Sequence, residues 1–194
     1  MHDDPVALAT WGLVATTFLL FLGTWWLARQ TRRAGQAVRV AERAYIKISH
    51  CGPLKFGSNG VGIVPLRVEN RGHTPAHVTD VRVNHMIAET LPENPDYGPE
   101  SPMAGHGRLV GRMGFSFKRP IIVGPGELDV INHGTMKLYV LGYADYTDAF
   151  GCKYRSAFVR RFDPQGSDEN NLVFVNQSAH YEYDRPQKRG GWCL

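Results

Sequence analysis

The stretch VGIVPLRVE, residues 61–69, indicates the fold class of the chain. Its apolar residues Val64, Leu66 and Val68 alternate with proline, arginine and glutamate, and this period of two is typical of a strand that buries one face. A helix would repeat its apolar residues every three or four positions instead. The stretch therefore predicts a half-buried β-strand.

Similar runs lie on both sides of this strand. They cover residues 44–50, 77–86, 109–118, 136–146, 152–162 and 172–175. Turn-forming residues separate the runs, and no stretch after Ala44 has the length and period of an amphipathic helix, which argues against βαβ units. We therefore expect a mainly β domain over residues 44–184, an immunoglobulin-like antiparallel sandwich of about seven strands, with a small barrel as the alternative.

Two segments do not fit this strand pattern. Residues 87–107 contain four prolines and four acidic residues, which predicts a long excursion from the domain, and excursions of this length are usually functional or disordered. Residues 185–194 form a basic, glycine-containing tail that we expect to be mobile. The sequence does not indicate the role of the excursion.

The N-terminal part of the chain has a different character. Residues 6–27, VALATWGLVATTFLLFLGTWWL, contain no charged residue, His, Asn or Gln. At about 1.5 Å per residue such a helix spans roughly 33 Å, close to the thickness of a bilayer core. The acidic leader at residues 1–5 does not resemble the basic start of a cleavable signal peptide. We predict a transmembrane helix that remains as an anchor.

Aromatic and basic residues flank the predicted membrane helix. Trp11 lies near one end and Trp25 and Trp26 lie at the other, where such rings settle at membrane interfaces. Good helix formers follow in residues 28–43, which predict a helical, basic stalk. The basic residues nearest the membrane helix are Arg29, Arg32 and Arg33.

The charges on the two flanks predict the orientation of the helix. Residues 1–5 carry Asp3 and Asp4 without Lys or Arg, whereas residues 28–47 carry six basic residues and one acid. Because basic flanks stay on the cytoplasmic side, we expect an exported N-terminus and a cytoplasmic β domain.

The net charge of +4 comes from this flank. The lipid bilayer is therefore the expected partner of the arginines, and the main argument for nucleic-acid binding is removed.

Cys51, Cys152 and Cys193 lack any C-x-x-C spacing. We predict free thiols, with a Cys51–Cys152 disulfide as the alternative for an exported domain.

Several polar motifs are weak candidates for chemistry. Residues 70–76, NRGHTPA, predict a structured connection between strands rather than a ligand site. We place Asp148 and Gly151 in a hairpin turn, so that Asp145 and Asp148 do not form a metal or acid–base pair. His77 and His85 are predicted to share a strand face with Val81 and Val83, about 26 Å apart, too far for one metal.

No nucleophile elbow, P-loop, dinucleotide fingerprint or kinase motif set occurs in the sequence. We therefore predict no catalytic residue, no cofactor-binding residue and no metal ligand, and we expect a protein that is not an enzyme.

Three segments carry a resemblance to other proteins. A membrane helix whose stalk ends in Glu42-Arg43-Ala44-Tyr45 is followed by NRGHTPA, and then by GYADYTDAFG, residues 142–151, before Tyr154-Arg155-Ser156-Ala157-Phe158. This order resembles a loose group of uncharacterised bacterial single-pass membrane proteins with N-x-G-x-T-P-A and Y-x-D-x-F-G segments. The resemblance implies a bacterial inner-membrane protein and adds no site residues.

These observations favour a membrane-tethered protein-interaction or accessory module with an unknown protein partner. A tethered small-ligand or carbohydrate-binding domain, or an unrecognised enzyme, that uses residues 87–107 as a lid is the alternative from another class. A third reading is a subunit of a membrane complex, in which Gly12, Thr16 and Gly23 allow close helix contact. The sequence does not indicate an oligomeric state.

Overall fold

The computed structural model describes residues 5–57, 59–98, 107–167, 170–175 and 180–187. The chain divides into two compact units, Met1–Ala41 and Glu42–Leu194. The predictions for residues 1–4, for the second half of the excursion at 99–106 and for the tail beyond residue 187 lie outside the described residues, as does that for Cys193.

The first unit is built from one long helix. Helix α1 covers Pro5–Glu42 and passes without a break through the predicted membrane segment and the predicted stalk. Its segment Thr10–Gly35 is long and apolar enough to cross a membrane. The hydroxyls of Thr17 and Thr31 donate to the carbonyls of Leu13 and Leu27, four residues earlier. The two hydroxyl donors are therefore satisfied within the helix, as an apolar environment requires.

The second unit contains two antiparallel sheets. The first sheet consists of β1 (Ile46–His50), β2 (Lys55–Phe56), β3 (Val61–Asn70) and β6 (Gly114–Ile122). Strand β6 pairs with β3 from Val61 to Glu69, so β1 and β2 share the opposite edge of β3. The second sheet consists of β4 (Ala76–Ala88), β5 (Gly107–Leu109), β7 (Lys137–Asp148), β8 (Lys153–Ser167), β9 (Asn170–Phe174) and β10 (Tyr183–Pro186).

The strands of the second sheet follow the order β10-β8-β7-β4-β5, with β9 also on β8. A short helix, α2 (Glu127–Asn132), links β6 to β7. The prediction of a mainly β domain of sandwich type is confirmed, although the described residues form ten strands rather than about seven. Strands β2 and β10 were missed because segments of two and four residues are too short to show a period.

The predicted strand at residues 109–118 is wrong as a single element. The chain leaves the second sheet at Leu109 and enters the first sheet at Gly114. A tight turn makes this change, in which Met113 N–H donates to the Val110 carbonyl and Arg112 has a φ of 64°. Two strands in different sheets therefore replace the one expected.

The main core lies between the inner faces of the two sheets. The first sheet contributes alternate residues of β3, namely Val64, Leu66 and Val68, which are all fully buried. The second sheet contributes the buried side chains of Val83 and Val140, among others. The buried alternate residues of the predicted strand 61–69 therefore form one wall of the core. Burial of each such side chain stabilises the fold by about 1.5–3 kcal/mol.

The second sheet is covered on its outer face as well. Tyr139, Leu141, Val159 and Tyr181 form a second buried cluster. Residues of the proline-rich excursion pack on this cluster, including Leu91 and Tyr97. Since β7 has neighbours on both faces, Leu138 to Ala144 are buried without alternation, as is typical of strands at the centre of a layered fold.

The predicted face of His77 is wrong, because β4 contains a β-bulge. The register with β7 shifts between Val78 and Asp80, so that Val78 is buried on one side of the irregularity and Val81 and Val83 on the other. A bulge inserts one residue and inverts the alternation beyond it. His77 is exposed and does not share the face of Val81 and Val83, whereas His85 lies in phase with them.

Candidate functional site

The predicted membrane-flank residues all lie exposed on α1. Trp11, Trp25 and Trp26 are 73%, 57% and 60% exposed. The guanidinium of Arg29 lies 5.7 Å from the ring centroid of Trp25, one helical turn away. Arg32 and Arg33 are exposed as well. The helix thus presents its aromatic and basic residues outward, where interfacial lipid would meet them.

The NRGHTPA segment is a structural connection, as predicted. The fully buried Asn70 accepts hydrogen bonds from Tyr45 N–H and Gly72 N–H at 3.3 and 2.9 Å. Its side-chain amide donates to the Thr74 and Leu109 carbonyls at 2.8 and 3.2 Å. Every polar atom of this side chain therefore has a protein partner, and none is left for a ligand.

Gly72 allows the same connection to pass close to the start of the domain. A Cβ at this position would lie 2.7 Å from the Cα of Ala44 and closer still to the Arg43 carbonyl. Real Cβ atoms do not approach backbone atoms so closely, so the contact between the two segments requires glycine. The motif around Arg43 and the motif around Asn70, far apart in sequence, therefore form one packed unit.

The third motif also reaches this region, through a buried polar cluster. Asp184 accepts hydrogen bonds from the guanidinium of Arg43 and the hydroxyl of Tyr146, each at 2.9 Å. The Tyr146 ring stacks on Tyr154 with centroids 5.4 Å apart. Burial, followed by the charge of Asp184, raises the pKa of Tyr146, and burial also raises the pKa of Asp184 despite Tyr146 and Arg43, which lower it. We call Arg43, Tyr146, Tyr154 and Asp184 the junction cluster.

Asp145 and Asp148 have separate structural roles. Asp145 forms a two-pronged ion pair with Arg155, with nitrogen–oxygen distances of 2.7 and 2.8 Å. Asp148 accepts from the N–H groups of Phe150 and Cys152, and Gly151 has a φ of 81°. The predicted hairpin turn at Asp148 and Gly151 is confirmed, and the two carboxylates are engaged with different partners.

The cysteine prediction is wrong in part. Cys51 is free and exposed, as predicted, but Cys152 is disulfide-bonded. Because Cys51 is free, the alternative Cys51–Cys152 bridge is wrong as well. No group of three His, Cys, Asp or Glu residues able to hold a metal occurs in the described ranges.

The outer face of the first sheet carries an apolar surface. Outward residues of β3 and β6 face one another across the strands, with Val61 opposite Ile122, Ile63 opposite Pro120 and Pro65 opposite Lys118. Ile63 and Ile122 are 48% and 69% exposed. An open groove of about 670 Å³ runs along this face, lined by Pro53, Lys55, Gly57, Asn59, Val61, Ile63, Pro65 and Lys118. We call this groove, together with Pro120 and Ile122, the Ile63 face.

The free edge of β6 is not suited to strand addition. Val123 N–H donates to the Gly60 carbonyl and Asn70 N–H donates to the Met113 carbonyl, so the odd-numbered residues of β6 direct their backbone groups to β3. The even-numbered residues then face the free edge. Pro120 is one of them and has no N–H to offer, which is a common protection of edge strands.

A cleft lies on the outer face of the second sheet, beneath the excursion. It has a volume of about 580 Å³ and is lined by Thr90, Leu91, Pro92, Glu93, Lys137, Tyr139, Arg161, Phe174, Val175, His180 and Tyr181. The Tyr181 hydroxyl donates to the Pro92 carbonyl at 2.7 Å and so ties the excursion to this wall. We call this space the outer cleft.

Sequence reasoning missed the buried Arg160 and the cleft residue Arg161. Arg160 is 1% exposed, lies 3.8 Å from the ring centroid of Phe174 and contacts Glu182 at 3.3 Å. Burial lowers its pKa. Strand parity was an available signal, because Arg160 lies in phase with the core residues Phe158 and Phe162, whereas Arg161 lies in phase with Val159 on the outer face.

Comparison of the chain with protein families, with curated proteins and with solved structures finds no match. The assignment of function therefore depends on the surfaces described above.

Proposed function

We propose that the chain is a membrane-tethered interaction module that binds a protein partner through the Ile63 face. The observation that carries the proposal is a continuous apolar surface made by cross-strand neighbours, with Ile63 and Ile122 about half or more exposed. Isolated exposed apolar residues are normal on soluble proteins, but contiguous ones mark interaction sites.

The charges around this face define the partner. The groove contains Lys55 and Lys118 and no acidic residue. A partner with an apolar patch beside carboxylates would match it in both shape and sign. A membrane surface fits less well, because the groove lining has no Trp, Tyr or Phe, the residues that favour membrane interfaces.

The anchor restricts where this module works. We propose a single-pass protein of the bacterial inner membrane with an immunoglobulin-like domain in the cytoplasm, on the basis of the flank charges and of the resemblance drawn from the sequence. The disulfide at Cys152 opposes the cytoplasmic placement, since disulfides persist mainly in oxidising compartments. The reporter experiment in the Discussion decides between these two observations.

Site-specific photocrosslinking in intact membranes tests the partner surface. A photoreactive residue in place of Ile63 or Ile122 should give a discrete protein adduct, whereas one in place of the exposed His77 on the second sheet should not. The partner identified from the adduct should bind the purified full chain and lose at least about tenfold affinity for the Ile63→Asp variant.

Lipid adducts alone would contradict the proposal and assign the face to the membrane. Equal adducts at His77, or unchanged affinity of the Ile63→Asp variant, would also contradict it. Urea unfolding of each variant confirms that a lost adduct does not reflect an unfolded domain.

A further inference from the structure

We infer that the outer cleft binds a small molecule that carries an oxyanion on a ring. The inference is independent of the proposed partner surface, which lies on the other sheet. It starts from two cations, Lys137 and Arg161, that line the cleft together with the buried Tyr139.

The strand register places the two cations together. Arg161 of β8 lies directly opposite Tyr139 of β7. Lys137 lies two residues from Tyr139, on the same face of β7, and therefore diagonal to Arg161. Diagonal neighbours have Cα atoms about 7–8 Å apart, so two long side chains at these positions can reach the same bound group.

Neither cation has an acidic partner in the part of the chain that the structure describes. Most of the other described arginines near the sheet surfaces do have one, such as Arg155 with Asp145 and Arg82 with Asp80. Lys137 and Arg161 are also only partly exposed. Two half-buried like charges repel each other, and a bound anion would relieve this repulsion.

The remaining lining selects the rest of the ligand. Tyr139 and Tyr181 supply aromatic surface, and His180 and Thr90 supply hydrogen-bonding groups. Glu93 is the one acid in the lining and is exposed. Burial raises the pKa of Tyr139, so its hydroxyl remains neutral at physiological pH. A volume of about 580 Å³ is typical of small-molecule sites.

The arginine favours a planar or tetrahedral oxyanion. A guanidinium presents paired donors that match carboxylate and phosphate oxygens, and the aromatic walls suit a flat ring beside them. A phosphate ester could come from a soluble metabolite or from a lipid headgroup. The chemistry at Lys137 and Arg161 is the same for both sources.

Calorimetric titration of the full chain in a zwitterionic detergent tests the inference, with phenyl phosphate as the probe. Phenol has the ring without the charge, and inorganic phosphate has the charge without the ring. Phenyl phosphate should bind saturably and at least about tenfold more tightly than either. Arg161→Gln and Lys137→Gln should each weaken binding by about tenfold or more, whereas Arg108→Gln, an exposed arginine of β5, should leave it unchanged.

Arg161→Lys preserves the charge and removes the paired donors, so it should bind phenyl phosphate with an affinity between those of the wild type and Arg161→Gln. This variant replaces Arg161→Gln in the test if Arg161→Gln alters the fold. Competition with dihexanoyl phosphatidylglycerol below its micelle concentration separates the sources: displacement assigns a lipid headgroup, and its absence assigns a soluble ester. No saturable binding of phenyl phosphate, or equal affinity in the wild type and both Gln variants, would overturn the inference.

Discussion

The Tyr146 hydroxyl donates a 2.9 Å hydrogen bond to the carboxylate of Asp184, and this bond joins β7 to β10 behind the first residues of the domain. The Arg43 guanidinium binds the other oxygen of the same carboxylate. The side chain of Asp184 is 8% exposed, so its oxygens depend on these partners rather than on water. The junction cluster therefore ties the beginning of the domain to its last described strand.

Tyr146→Phe should lower the free energy of unfolding by about 1–3 kcal/mol, because it removes a donor from a buried charged acceptor. Urea unfolding of the purified chain, followed by far-ultraviolet circular dichroism of the strands, measures the change in the free energy of unfolding. Tyr45→Phe is the matched control, since Tyr45 is 40% exposed, and its effect should remain within about 0.5 kcal/mol. An equal loss in both variants would show that the bond to Asp184 contributes nothing specific.

The pKa of Asp184 should make stability depend on pH. Burial raises this pKa above the ordinary value of 3.8 in the folded protein, so the folded state holds the proton more tightly than the unfolded state. Stability attributable to this group then falls as pH rises from the ordinary pKa through the raised one. Relative to Asp184→Asn, the wild type should lose stability over that window and change little above it. A wild type that gains stability over the same window would contradict the prediction.

Asn70→Ala should destabilise the domain by about 3 kcal/mol or more, because it leaves buried groups of Tyr45, Gly72, Thr74 and Leu109 without their partner. Thermal and urea unfolding both measure this loss. Asn84→Ala provides the comparison, since the Asn84 amide donates an exposed 3.4 Å contact to the Asp96 carbonyl. The role assigned to Asn70 fails if the two alanine variants unfold at the same urea concentration.

Tyr181→Phe should loosen the excursion without unfolding the sheets. The lost bond to Pro92 is a polar contact that holds residues 90–93 on the opposite wall of the outer cleft, where Leu91 also packs. Amide exchange within this segment should accelerate by about tenfold, which corresponds to roughly 1.4 kcal/mol, while exchange in β7 stays unchanged. Faster exchange in both regions would instead indicate global destabilisation.

The side of the membrane that holds the β domain can be measured with reporters fused to the C-terminus. A reporter active only in the cytoplasm should work there if the flank charges decide the orientation. In that case a thiol reagent added to opened cells under denaturing conditions should label Cys152 in a Cys51→Ser variant, because the cytoplasm keeps thiols reduced. A silent cytoplasmic reporter, together with an active periplasmic one, would show that the domain is exported and that the Cys152 disulfide forms there.

The sequence by itself determined the elements whose pattern is local. Alternation over residues 61–69 predicted β3 because both faces of a strand are defined within a few residues. The absence of charged residues, His, Asn and Gln over residues 6–27 predicted the helix that the structure places at Pro5–Glu42. The turn at Asp148 and Gly151 was equally local, since the Asp148 side chain binds the N–H groups of Phe150 and Cys152.

Only the tertiary structure decided which residues meet across long separations in the chain. The bulge in β4 inverted the face of His77, and the turn after Leu109 moved the next strand to the other sheet, because pairing partners select register and sheet from outside any short window. The ion pair of Arg43 with Asp184 joins the start of the domain to β10, and Lys137 and Arg161 line the outer cleft together because β7 pairs with β8. A local alternation of apolar residues predicts a strand. Which distant strands pair depends on the packing of the whole domain, and no short stretch of sequence specifies it.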